Sequence, residues 1–327
     1  MSSDKPLKLV YIAGYGRSGS TLLDIALGQQ EMIFAAGEVT TIARHVWVND
    51  EYCACGSNVP LCPFWGPVVK KWFGAEGDEL LDDYRRSQEQ IEPVFSLKAM
   101  LSPWRSKRMR ASYLEHSQKL FQEISAGSGK QIIVDSSKLP GRASALAKLP
   151  GIELYIVHLV RDGRGVAWSM MKTYTRQVDK GLQKDLHPKP VVYTAVRWAF
   201  INLAVEMLRI KLGRGRSIRV RYEDFIADPA DTLGRIVRLV GADSTRAPYQ
   251  EGQALFPQHQ VAGSRHRMLE SITLRSDEGW KNEMPGFKQF IFTALCAPLM
   301  WRYGYPLKQK VASPPPPKKI SNIGNVS

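Results

Sequence analysis

Gly14, Gly19 and Thr21 stand in "GYGRSGST" at the spacing of the phosphate-loop pattern G-x-x-x-x-G-K-[ST], but the lysine position holds Ser20. The chemistry of such a loop is anion binding, because backbone N–H groups at a helix N-terminus converge on phosphate oxygens. The candidates are Gly16, Arg17, Ser18, Gly19, Ser20 and Thr21, with Ser18, Ser20 and Thr21 adding hydroxyl donors. In the lysine-bearing form the lysine reaches the β- and γ-phosphates and the adjacent hydroxyl holds magnesium. Its absence argues against a triphosphate. The positive charge sits three positions earlier, at Arg17, where it suits a group carried beyond a single 5′-phosphate.

A second stretch, "YIVHLVRDGRGVAWSMMK", has Arg161 at the end of an apolar run and Ser169 eight residues on. With a strand before and a helix after, both side chains can face one anion. Alone, a surface arginine followed by a neutral helix serine is the simpler reading.

These residues need a frame. "LKLVYIAG" suits a buried parallel strand, and "STLLDIALGQ" places Leu22, Leu23, Ala26 and Leu27 at helical spacing, so the loop lies between strand and helix. "MIFAAGE" predicts a short strand ending at Gly37-Glu38. Residues from about 40 to 128 are rich in Trp, Arg and Pro, with helical pattern in "ASYLEHSQKLFQEI"; they read as a helical insertion over the sheet on the acceptor side. Alternation resumes with strand "KQIIVDSS", helix "GRASALAKL" and strand "ELYIVHLV". A long amphipathic helix "VVYTAVRWAFINLAVEMLRIKLG", strand "SIRVRYEDF" and capped helix "DPADTLGRIVRLVG" follow. The expected fold class is α/β: a mostly parallel sheet flanked by helices, one domain over residues 1–310, and a disordered Pro/Lys-rich tail from 311 to 327.

Composition bounds the function classes. The 327 residues carry net charge +14, which implies an anionic partner; nucleic acid, a membrane surface or a phosphorylated small molecule all qualify. The basic clusters "KAMLSPWRSKRMR" and "RIKLGRGRSIRVR" belong to no nucleic-acid module and read as solvated faces. "MSSDKPLKLV" lacks a signal peptide's apolar core, and "FIFTALCAPLMW" is too short to span a bilayer and reads as a buried helix, so a cytoplasmic protein is expected. Four cysteines are too few for a disulfide scaffold. Cys53, Cys55 and Cys62 in "CACGSNVPLC" fall short of a zinc set, with His45 only a speculative fourth ligand, so packed thiols and no metal are expected.

Together, the two anion-binding stretches resemble the sulfotransferases that use 3′-phosphoadenosine 5′-phosphosulfate (PAPS). In that family a loop like "GRSGST" binds the 5′-phosphosulfate and an element like "RDGRGVAWS" binds the 3′-phosphate, which assigns Arg161 and Ser169 to the latter. "VRYEDFIADP", "LVGADS" and "VAGSRHRMLESITLRSDEGWK" resemble later family segments, so the likeness runs from about residue 8 to 305 and is weakest in the insertion. It implies a P-loop-like sulfotransferase fold, PAPS as co-substrate without a metal, and a hydroxyl acceptor, with a carbohydrate or glycoconjugate expected. Two separated anion sites then replace a triphosphate cradle.

Sulfuryl transfer demands donors for the equatorial oxygens and a base for the acceptor hydroxyl. Arg17 and the loop supply donors. Glu38 in "GEVTTI" is the candidate base, by its place after a strand next to the loop and by resemblance to the "G-E" element of protein-tyrosine and some carbohydrate sulfotransferases; a carboxylate favouring the next helix's N-terminus is its bland alternative. His45 and His158 are the other candidate bases. Lys138, after a strand end, can add charge at the phosphosulfate, and Tyr222, ending a strand, can contact adenine. The family pattern places Arg267 and Lys281 near the 3′-phosphate, although "GSRHR" departs from the usual "GNPxR". The rival classes are a P-loop kinase with a displaced lysine and a non-catalytic polyanion binder.

Overall fold

The structure, a computed structural model, describes residues 6–74, 77–93, 103–177, 185–242, 249 and 252–308. In chain order, β1 (Leu7–Ala13), α1 (Ser20–Gly28) and β2 (Ile33–Ala35) precede the helices α2 (Trp65–Phe73), α3 (Gly77–Ile91) and α4 (Pro103–Ser128). Then come β3 (Ile132–Lys138), α5 (Pro140–Leu146), β4 (Ile152–Val160), α6 (Gly163–Met170), α7 (Val191–Leu212) and β5 (Ser217–Arg221). The chain closes with α8 (Tyr222–Ala227), α9 (Pro229–Leu239), α10 (Trp280–Glu283) and α11 (Gly286–Arg302). The five strands form one parallel sheet in the order β2-β3-β1-β4-β5.

Strand β1 explains the layering. Alternate side chains point to opposite faces, and both faces are covered, so the strand reads as a continuous apolar run. Leu9, Tyr11 and Ala13 join a core with Trp65, Trp72 and Phe121 of the 40–128 segment. Val10 and Ile12 join Leu23, Phe225 and Leu233 from α1, α8 and α9 on the other face. The loops leaving the carboxyl ends of β1, β3 and β4 therefore share one rim, where open parallel sheets bind ligands.

A buried polar network stitches the 40–128 segment to the sheet. Arg142 of α5 is fully buried and donates Nη1 to Glu92 Oε1 at 2.9 Å and Nε to Asp135 Oδ2 at 3.1 Å. Glu92 Oε2 accepts from Thr40 Oγ1 and Arg44 Nη2, both at 2.6 Å. Asp135 accepts from the amide and hydroxyl of Ser137, whose Oγ accepts from Thr40 N at 3.0 Å. Thus the backbone on either side of Glu38 and Lys138 is tied to a single interior cluster.

Two expectations change. The segment "YEDF" does not continue β5 but forms α8, because the ladder with β4 ends at Val160↔Arg221 and Tyr222 has no strand left to pair with. Glu223 at the new helix start accepts the Asp162 amide at 2.9 Å. The apolar "FIFTALCAPLMW" helix is only half buried: Phe292, Cys296, Leu299 and Met300 face the core, while Phe290, Leu295 and Trp301 are exposed. Among the described residues one helix, α7, is long and apolar enough to cross a membrane; its Trp198 and Val205 pack into the core. The tail expected to be disordered, 311–327, lies outside the described residues.

Candidate active site

The loop between β1 and α1 is shaped by what lies under it. Gly19, with φ 89°, caps α1, and a Cβ there would collide with the Tyr222 ring. Only glycine meets both demands. Arg17 adopts φ 65°, a left-handed conformation that costs a non-glycine residue roughly 1–2 kcal/mol. Strain of this kind persists where surrounding contacts over-determine it, and here the Arg17 carbonyl accepts from Arg161 Nη1 at 3.2 Å. The amides from Gly16 to Thr21 thus line the N-terminus of a nine-residue helix. Ser18 Oγ is buried and unpartnered, and Thr21 Oγ1 accepts from the Ser264 amide at 3.0 Å.

Arg161 joins the two predicted anion sites. It leaves the end of β4, stacks 4.6 Å over the Tyr222 ring, and pairs through Nη2 with Asp277 Oδ2 at 2.9 Å. Asp162 next to it caps α6 and grips Arg164 through two contacts of 3.0 and 2.7 Å, so the second arginine of "RDGR" is structural. Ser169 stands half-buried in the last turn of α6. Tyr222 is only 5% exposed, with Gly19 and Arg161 against its ring. It props the loop; the adenine contact expected of it finds no open ring face. Burial also pushes its hydroxyl pKa up.

Glu38 and Lys138 face each other across the ends of β2 and β3, with Oε1 and Nζ 2.5 Å apart. Lys138, at φ 71°, is a second residue held in the left-handed region, at an irregularity of the β1–β3 ladder. The Glu38 amide donates to Val261 O at 2.9 Å, which brings the late loop over it. Gly263, at φ 89°, leaves room there: a methyl group on it would lie 2.8 Å from Thr21 Oγ1 and 3.3 Å from Glu38 Oε1. The loop hydroxyl and the carboxylate therefore border one space. Glu38 is committed to Lys138 rather than to a helix cap. Both alternative bases have other partners. His158 is fully buried beneath α7, bonded to Asn202 Oδ1 at 2.9 Å, and burial lowers its pKa. His45 pairs with Glu51 at 2.7 Å.

The late loop gives its cations different surroundings. Arg267 is buried and donates Nη2 to Tyr52 O at 3.0 Å. Lys281 is exposed and pairs with Glu278 at 2.6 Å, one residue from Trp280, which packs under Arg164 and Gly165. Arg265 instead approaches the loop: it and Arg17 lie 5.7 and 5.4 Å from the Tyr174 ring centroid. Burial, then the charges of Arg265 and Arg17, lowers the His266 pKa, a sign of positive potential at this rim. Arg265, His266, Tyr174, Asp277 and Gly263 were missed in the sequence. The "GSRHR" departure marked the place without saying which arginine turns inward. The carboxylate that a kinase would need on the strand beside the loop, Asp135, is buried and engaged by Arg142.

The cysteine segment also differs from expectation. Cys53, Cys55 and Cys62 do converge, but the imidazole beside them is His259, not His45.

A parallel sheet with a glycine-rich loop between β1 and α1 and an arginine after β4 gives a P-loop-like α/β architecture. Residues 10–246 match the sulfotransferase family, and the chain belongs to it. It is similar to human carbohydrate sulfotransferase 3, with 29% identity over 179 residues, 51% of this chain and 37% of that protein. The matched stretch thus spans little more than a third of that relative's length. The sulfotransferase domain of the curacin biosynthetic pathway shares the fold, with TM-score 0.53 and 16% identity over 93% of this chain and all of that one. The sulfotransferase domain of the Synechococcus PCC 7002 olefin synthase aligns at TM-score 0.46 and 17% identity, over 94% and 98% of the two chains.

Proposed function

We propose that this sulfotransferase takes its sulfuryl group from PAPS and passes it to a hydroxyl of a carbohydrate or glycoconjugate. The observation that carries the reading is the Arg161–Arg17 hydrogen bond of 3.2 Å, which couples the loop at the α1 N-terminus to the cation at the end of β4. One rim then offers two anion positions: loop amides, Arg17 and loop hydroxyls for the phosphosulfate, and Arg161 with Ser169 for the 3′-phosphate. Asp277 pairs with the same guanidinium, so a 3′-phosphate on Arg161 would compete with this carboxylate. The carbohydrate acceptor rests on the likeness to carbohydrate sulfotransferase 3 alone.

In this mechanism Glu38 accepts the acceptor hydroxyl's proton while Lys138 and Arg17 stabilise charge on the transferring group. The Lys138–Glu38 pair holds the carboxylate beside the space that Gly263 leaves open. Glu38→Gln keeps shape and hydrogen bonding but cannot take the proton. Turnover with PAPS is expected to fall roughly 10²-fold or more, as for loss of a general base. Adenosine 3′,5′-bisphosphate should still bind within a few-fold of wild type. Near wild-type turnover would return Glu38 to a structural role. Thermal stabilisation by ATP with magnesium equal to that by the bisphosphate would sink the PAPS reading.

A further inference from the structure

Three thiols and one imidazole converge at the base of the late loop. Cys53, Cys55, Cys62 and His259 place one donor atom each so that all four lie within 4.8 Å of one another. Cys55 Sγ is 3.6 Å from Cys62 Sγ, and His259 Nδ1 is 3.4 Å from Cys62 Sγ and 3.8 Å from Cys53 Sγ. A tetrahedral zinc with bonds of about 2.3 Å to sulfur and 2.0 Å to nitrogen holds sulfur pairs roughly 3.8 Å apart and sulfur–nitrogen pairs roughly 3.5 Å apart. These three separations lie within about 0.3 Å of that tetrahedron's edges. They are far too long for a disulfide, and all four cysteines of the chain are free.

We propose that Cys53, Cys55, Cys62 and His259 form a closed structural zinc site. The donors select the metal: thiolates with one imidazole suit zinc, whereas magnesium or calcium would want oxygen ligands. Four protein ligands leave no open position, so the metal builds structure and takes no part in turnover. The surroundings are those of a formed site. The Trp65 amide points at Cys62 Sγ at 3.4 Å, and the Phe64 ring stacks on the His259 imidazole with centroids 5.4 Å apart. Gly56 N donates to Cys53 O at 3.0 Å, closing the tight Cys53–Gly56 turn that presents two thiols to one point. Zinc binding converts the three thiols to thiolates and releases their protons to solvent.

The site has a job in the fold. His259 opens a stretch in which Val261 bridges both Cys53 and Gly37, Val261 O holds the Glu38 amide, and Ser264 N reaches Thr21 Oγ1. A metal clamping His259 to the cysteine turn therefore fixes the loop that closes over Glu38. This assignment stands whether or not PAPS is the donor.

The test is metal content of the untagged full chain purified under reducing conditions, by native mass spectrometry and plasma emission. One zinc per chain is expected, released by a mercurial thiol reagent, with cobalt replacement giving tetrahedral thiolate bands. Cys62→Ser and His259→Gln should each lose stoichiometric zinc, while Cys296→Ser, at a buried thiol elsewhere, keeps it. Folded wild type that holds less than a tenth of a zinc per chain and takes up none when zinc is added would overturn the proposal. So would a Cys55–Cys62 disulfide in its mass, or full zinc retained in both ligand variants. A stripped chain that melts at an unchanged temperature would overturn the clamping role.

Discussion

Replacing Arg142 with methionine would leave two interior carboxylates without the cation they share. Arg142, Glu92 and Asp135 have side chains fully out of solvent, with ion-pair distances of 2.9 and 3.1 Å. Removing one partner of a buried ion pair typically costs about 3–5 kcal/mol, because the remaining charge is stranded. Glu92 would keep Thr40 and Arg44 at 2.6 Å, whereas Asp135 would keep only Ser137, so the lower half of that range is expected, carried chiefly by Asp135. The cost must depend on pH. Burial already raises the Asp135 pKa with Arg142 present, and without it the carboxyl moves higher still. A raised folded pKa means that stability is intact below the unfolded value of about 3.9 and is lost as pH rises. Urea unfolding of Arg142→Met against wild type at pH 5 and pH 8 should therefore show the larger deficit at pH 8. Turnover should fall with stability, since Ser137 and Thr40 connect this cluster to the backbone around Glu38 and Lys138. A deficit below about 1 kcal/mol that is equal at both pH values would refute the stranded-charge account.

Arg161→Ala should weaken binding of adenosine 3′,5′-bisphosphate roughly ten- to hundredfold, as for a lost charge-assisted hydrogen bond of about 1.5–3 kcal/mol. Binding of adenosine 5′-phosphosulfate, which lacks the 3′-phosphate, should stay close to wild type in calorimetry; equal losses would mean that Arg161 only props Arg17. Asp277→Ala removes the carboxylate that competes for Arg161, a half-exposed pair worth up to about 1 kcal/mol, so bisphosphate affinity should rise a few-fold, and a fall would contradict the competition. Asp24 is fully buried in α1 and burial raises its pKa well above the carboxylate range. The contribution of this carboxyl to stability therefore declines as pH rises from about 4, at about 1.4 kcal/mol for each tenfold change in its proton affinity between folded and unfolded states. Asp24→Asn should flatten that decline in denaturation series from pH 4 to 8, and an unchanged slope would show the carboxyl ionised in the fold.

Periodicity and turn chemistry are local, so the sequence alone determined the elements that frame the rim. The apolar run of β1, the glycines of the loop and the helical spacing after Ser20 needed no distant partner to be read. The same holds for β4 ending at Arg161 and for the Asp228 cap of α9, whose side chain accepts the Asp231 amide. Where a strand must stop was less legible. Tyr222 looks like strand until one knows that β4 offers no further edge. Pairings across long stretches of chain were decided only by the tertiary structure. Nothing in the sequence distinguishes His45 from His259 as the imidazole beside the cysteines, since the latter lies 197 residues from Cys62. Nor does it say that Arg265 turns to the loop while Arg267 turns to Tyr52, or that Asp277 sits on Arg161. The late loop carries no period to read, and its course follows from backbone bonds such as Glu38 N to Val261 O and Ser264 N to Thr21 Oγ1. Those bonds exist only once the sheet and the 40–128 helices have packed and placed their ends together.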